Sequence, residues 1–139
     1  APCIARFERV ATTGAPFLML YGGGDAIVDP ARCAAVTGDL RRGGSEVRVE
    51  VYDGAAHRWD AGARDWHAPR GLADCRFRVA ADGGVRDART LLPLDGYLTR
   101  AAALALCADR DGYRIRGDAA VKARSDAALE RFLQAAFRP

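Results

Sequence analysis

The chain has 139 residues, the size of one domain, and half of them are apolar, enough for a modest core. Its 21 basic and 18 acidic residues are interspersed and leave a formal charge of +3, so neither a nucleic-acid partner nor a membrane surface is expected. The longest apolar run, Phe17 to Tyr21, is far too short to span a bilayer, and no signal-peptide pattern opens the chain; any targeting segment is expected to be absent or already removed.

Residues 1–15 read as an irregular or weakly helical lead-in. Phe17-Leu18-Met19-Leu20-Tyr21 follows, closed by Gly22-Gly23-Gly24. A short apolar run ended by glycines predicts a strand buried on both faces of a parallel sheet. Asp29-Pro30 then sets a capping residue before a proline, which predicts a helix over 30–42, ended by Gly43-Gly44. Val47, Val49 and Val51 alternate with Arg48, Glu50 and Tyr52, the pattern of a strand nearer the sheet edge. Strand, helix and strand with short connections make a βαβ unit. Residues 58–74, rich in Arg, Asp, Ala and Gly, read as loop. Residues 75–80 and 85–90 flank Asp82-Gly83-Gly84 as a small hairpin, and 96–108 read as a short Ala- and Leu-rich helix. Helical spacing of Val121, Ser125, Ala128, Leu129, Phe132 and Ala136 predicts a last helix over 118–137, capped by Asp118.

The four cysteines, Cys3, Cys33, Cys75 and Cys107, form no C-x-x-C pair, and neither histidine stands beside them, so no metal site is expected. An even number at wide spacing suits two disulfides and an oxidising compartment; four buried thiols in a reducing one is the alternative. Four cysteines allow three connectivities, and the residues alone leave all three open.

Two residues stand out for chemistry. Asp25 lies just past the C-terminal end of a buried strand, the edge where open α/β sheets collect their ligands and catalytic groups. Its plainer role is to cap a turn. His57 follows the next strand after Asp53-Gly54-Ala55-Ala56, which puts its imidazole on the same edge. A lone histidine there is ordinarily a solvated loop residue. Together, in the order strand, Asp, helix, strand, His, they follow the later part of the Ser…Asp/Glu…His sequence of an α/β-hydrolase triad, where the carboxylate orients the imidazole.

The segment Pro16-Phe-Leu-Met-Leu-Tyr-Gly-Gly-Gly-Asp25 with Ile27-Val28-Asp29-Pro30 resembles the acid-bearing segment of the dienelactone hydrolase family. Val51-Tyr52-Asp53-Gly54-Ala55-Ala56-His57-Arg58-Trp59-Asp60 is similar to its histidine segment. The resemblance covers roughly residues 1–60 and the last helix and is weak over 61–115. It implies the C-terminal part of one α/β-hydrolase domain over 1–139, an insertion at about 61–115, and an ester or lactone hydrolase that needs no cofactor. Asp25 matches the triad acid and His57 the base. Cys3 and Cys33 resemble a cysteine pair of exported members, which implies a periplasmic or secreted location. The nucleophile departs from the pattern. The family's G-x-[CS]-x-G elbow must precede Asp25, and only Cys3 does so, without the glycines; Ser45 and Ser125 both follow. The missing attacking group and first strands imply a homodimer, a domain swap, or an N-terminal half supplied from elsewhere. A non-catalytic secreted binding module and part of a prolyl-oligopeptidase-type peptidase are the alternatives.

Lesser candidates are His67, read as a surface loop residue; Trp59 and Trp66, read as packing rather than an acyl pocket; and Arg58 and Arg64, read as solvated rather than as carboxylate binders. A Cys75–Cys107 bridge would staple the insertion, contributing on the order of 3–4 kcal/mol by loop-closure entropy.

Overall fold

The computed structural model describes residues 2–27, 30–62 and 64–137. The elements run β1 (Ala5–Phe7), β2 (Phe17–Gly22), α1 (Pro30–Arg42), β3 (Val47–Tyr52), β4 (Asp65–Ala68), β5 (Phe77–Val79), β6 (Val85–Asp87), α2 (Tyr97–Cys107), β7 (Tyr113–Arg116) and α3 (Ala119–Ala136), after a short 3-10 turn at Pro2–Ile4. The architecture is mixed α/β with three helices and three small sheets among the described residues.

The centre is the βαβ unit. β2 and β3 pair in parallel, Phe17 opposite Val47 through Gly22 opposite Tyr52. Alternation along β2 sends Met19 and Tyr21 to one side, where they pack with Ile27, Cys33 and Val36 of the α1 side, and Leu20 to the other, against Tyr52, Ala55 and Val121. The result is α1 and α3 on opposite faces of a two-stranded layer. Gly44, at φ +104°, reverses the chain after α1, and the Ser45 N–H returns to the Leu40 carbonyl at 3.2 Å. The Asp118 carboxylate accepts from the Ala120 and Val121 N–H groups, both at 3.0 Å, and starts α3. The proposed α1 cap, Asp29, lies outside the described residues.

Three expectations are corrected. The lead-in contains β1, which pairs in parallel with β5. The loop expected over 58–74 contains β4, which pairs antiparallel with β7, so His67 lies on a strand rather than a loop. Neither β4 nor β7 has a continuous apolar run; each exists because the other supplies its ladder partner. Phe17 stands 39% exposed, so β2 is not buried on both faces along its whole length. β3 has the expected bounds; its buried residues are Val47 and Tyr52, while Val51 is 44% exposed, and Tyr52 is the large side chain that α3 covers.

Segment 65–116 leaves and rejoins the molecule at one place. Asp65–Arg116 through Ala68–Tyr113 form its base, Gly71 bridges Asp109 beyond them, and the Cys75–Cys107 disulfide closes the next step. Its head is the β5–β6 pair and α2, with Phe77 and the disulfide packed under Leu94 and Leu104. A second disulfide, Cys3–Cys33, ties the N-terminal turn to α1. The buried Asp39 carboxylate binds both nitrogens of the Arg6 fork at 2.8 and 3.0 Å and adds β1 to the same anchor.

Candidate functional site: an aspartate–histidine pair at the strand ends

Parallel pairing brings the ends of β2 and β3 to one edge, and the two turns that follow interlock there. The Gly23 N–H donates to the Tyr52 carbonyl at 2.8 Å and the Gly24 N–H to the Ala55 carbonyl at 3.1 Å. The approach is close: a Cβ on Gly22 would stand 2.2 Å from the Ala55 carbonyl oxygen, so a larger residue cannot sit there unmoved.

The interlock sets Asp25 against His57. Asp25 Oδ2 lies 2.8 Å from His57 Nδ1, and Asp25 Oδ1 accepts from the Ile27 N–H at 2.9 Å. The carboxylate side chain is 4% exposed and the imidazole 22%. An ionised carboxylate only accepts, so Nδ1 carries the proton and the neutral ring presents Nε2 as an acceptor. Nε2 hydrogen-bonds no protein group among the described residues, and the ring keeps an outlet to solvent. Chemically, the pair is a proton acceptor with a fixed tautomer and a buried counter-charge ready to stabilise its protonated form.

The segment after β4 contributes a wall. His57 bridges Ile115 of β7, and the Arg116 N–H donates to the His57 carbonyl at 3.3 Å. The Tyr113 ring meets the imidazole edge-on, with centroids 5.2 Å apart and planes at 89°. The sequence reading missed Tyr113. The available signal was the alternation Tyr113-Arg114-Ile115-Arg116 after Asp111-Gly112. Behind the site, Tyr52 donates to Glu50 at 3.1 Å, and burial together with that carboxylate raises its phenol above the usual range, so it stays protonated.

The lesser candidates do not converge on the pair. Trp59 tilts against Tyr52 at 5.6 Å, and its indole N–H donates to Ser125 Oγ at 3.3 Å, so it packs α3. Trp66 is half exposed on β4, and His67 Nε2 lies 2.7 Å from the Asp111 carbonyl. Arg58 and Arg64 are exposed, Arg58 at φ +57°. Ser125 donates to the Lys122 carbonyl at 2.8 Å, Ser45 is buried in the turn ahead of β3, and all four cysteines are in disulfides. No metal-binding cluster of His, Cys, Asp and Glu occurs among the described residues.

Two disulfides fit an oxidising compartment, and among the described residues no helix is long and apolar enough to cross a membrane. No protein-family model, curated protein or solved structure matches the chain. Fold and site together define a mixed α/β protein, twice disulfide-bonded, with an aspartate–histidine pair at the carboxyl ends of two parallel strands.

Proposed function

We propose that this chain is the C-terminal part of an α/β-hydrolase domain of the dienelactone hydrolase type, exported from the cytosol, that supplies the acid and base of a Cys/Ser–His–Asp triad. The observation that carries the reading is the 2.8 Å contact between a buried Asp25 and His57 Nδ1 at the carboxyl ends of parallel strands. In an ester or lactone hydrolase His57 Nε2 takes the proton of the attacking group and returns it to the leaving group, while Asp25 holds the ring and stabilises the imidazolium. The nucleophile comes from an N-terminal half or a second copy. β2 supports this, because β3 occupies one of its edges and no described strand pairs with the other. Exposed Phe17, Leu129, Leu133 and Phe137 are the apolar side chains such a partner would cover.

The reading is tested in two stages. In the chain itself, the His57 Nδ1 proton resonates far downfield, and Asp25→Asn removes that signal. With the preceding polypeptide joined to this chain, p-nitrophenyl ester turnover appears, and His57→Ala or Asp25→Asn lowers kcat by roughly 10⁴. An inactive joined polypeptide would overturn the hydrolase reading and leave a binding crevice. A monomeric chain of this length that melts sharply would overturn the missing partner.

A further inference from the structure

A cleft of about 550 Å3 lies between the three-stranded sheet and α1, and neither Asp25 nor His57 lines it. Arg6, Arg32, Arg76 and Arg78 stand on its wall with Ile4, Ala35 and Ala88, and Glu8 is the one acid there; the Phe7 and Phe77 rings alternate with the arginines and turn to the other face of the sheet, where Phe77 packs on the Cys75–Cys107 bridge. The strand register concentrates this charge. Arg6 pairs with Arg78 across β1 and β5, and Arg78 with Arg86 across β5 and β6. Like charges directly opposite one another on a sheet repel, so folding gains nothing from the row. Asp39 neutralises Arg6 but also serves Arg42. Arg76 and Arg78 form no ion pair among the described residues. Arg76 donates to the Ala73 and Cys75 carbonyls at 2.8 and 3.0 Å, and Arg32 joins it on the Cys75 carbonyl at 3.2 Å. Those bonds aim the guanidinium of Arg76 without cancelling its charge. The carbonyl they share belongs to a disulfide cysteine that is fully buried, so the anchor is fixed.

We propose that this cleft binds a small amphipathic anion: a carboxylate, sulfonate or phosphate head held by Arg76 and Arg78, with an aromatic or branched body against Ile4, Ala35 and Ala88. Guanidinium forks suit oxyanions, which they grip through paired N–H donors. The volume is that of a small-molecule pocket, and the apolar wall gives an advantage to a ligand with a body over a bare ion. The site is independent of the hydrolase reading.

The test uses two fluorescent probes with the same rings, anilinonaphthalene sulfonate and uncharged N-phenyl-1-naphthylamine, titrated into the folded chain. The sulfonate is expected to saturate one site and to bind more tightly than the neutral probe. Arg78→Gln weakens the sulfonate at least about tenfold, the loss of one charge-assisted bond, while Arg78→Lys retains part of it and neither changes the neutral probe. Arg78 is exposed, so both variants keep the native near-ultraviolet dichroism. Ala35→Trp, which fills the cleft from α1, lowers both affinities. Sulfonate binding that is absent, or unchanged to within about twofold in Arg78→Gln, overturns the proposal. So does equal loss of both probes in Arg78→Gln, or no loss of either in Ala35→Trp.

Discussion

The βαβ unit and the segment from β4 to β7 meet at His57 but are built by different physics. The first is short-range: β2, α1 and β3 follow one another closely, and their apolar residues bury one another as Met19, Tyr21, Ile27 and Val36. The second is long-range and largely polar. Its base joins Asp65 to Arg116, Arg114 and Asp65 form a two-pronged pair at 2.9 and 2.6 Å, and its turns are tied by carboxylates: Asp87 by Arg89 and Thr90, Asp109 by Gly71, Asp111 and Gly112. That pair is exposed; the Arg114 hydrogen bond holds Asp65 below the usual carboxylate range, but such pairs add little stability in water. The disulfide compensates for the thin core of Cys75, Phe77 and Cys107. One protein thus combines a unit whose neighbours in sequence are its neighbours in space with one that depends on a covalent tie.

The largest effect is expected from removing that tie. Cys75→Ala with Cys107→Ala is expected to cost about 3–4 kcal/mol. Hydrogen exchange should then show fast amides between β4 and β7 while β2 and β3 stay protected; uniform loss of protection would mean the two regions are one cooperative unit. Next is Gly22→Ala, whose new methyl meets the Ala55 carbonyl. Its expected cost is on the order of 1–3 kcal/mol, measured by thermal melting, with the Asp25–His57 contact loosened and the downfield His57 proton lost.

Asp87 probes the polar region more gently. Burial pushes its carboxyl up, but the Thr90 N–H and hydroxyl and the Arg89 N–H hold the ionised form more strongly, and the net effect is a value below the usual range. A carboxyl lowered by folding stabilises at pH above its unfolded value, about 3.9, and loses that contribution as pH falls through the folded value. Acid titration should therefore loosen the β6 turn of the native chain, and in Asp87→Ala the same turn should already be looser at neutral pH, by about 1–2 kcal/mol. A pH-independent difference between the two proteins would sink this account. The smallest expected effect is a gain. Arg58 holds the left-handed conformation right after His57, and Arg58→Gly relieves it, raising stability by up to about 1 kcal/mol; a lowered melting temperature would show that the arginine side chain has work of its own there.

Legibility in the sequence divides along the same line. Glycine-ended and proline-started segments gave away β2 and α1, with helix bounds at Pro30 and Arg42 as expected, because the signals are local. The strand-end positions of Asp25 and His57 were readable for the same reason, since strand alternation and turn residues suffice to place them. Strands β1 and β4 were not readable as strands, and β7 carries only the brief alternation of Tyr113 to Arg116. Asp-Trp-His-Ala has no preference of its own, and it pairs with Tyr-Arg-Ile-Arg, from Ala68–Tyr113 to Asp65–Arg116, a partnership no short window contains. The Arg6–Arg78–Arg86 row is illegible for the same cause: three scattered arginines become one feature only once the register is known.

The two bridges have a further consequence for how the chain matures. Cys3 joins Cys33 and Cys75 joins Cys107, so each cysteine bonds to the next one along the chain and the loops neither cross nor nest. An oxidase that links thiols in order of their emergence makes both native bonds directly, the first before the third cysteine is exposed. Oxidation in that order requires no isomerase step, whereas refolding from the reduced chain starts with all four thiols exposed together.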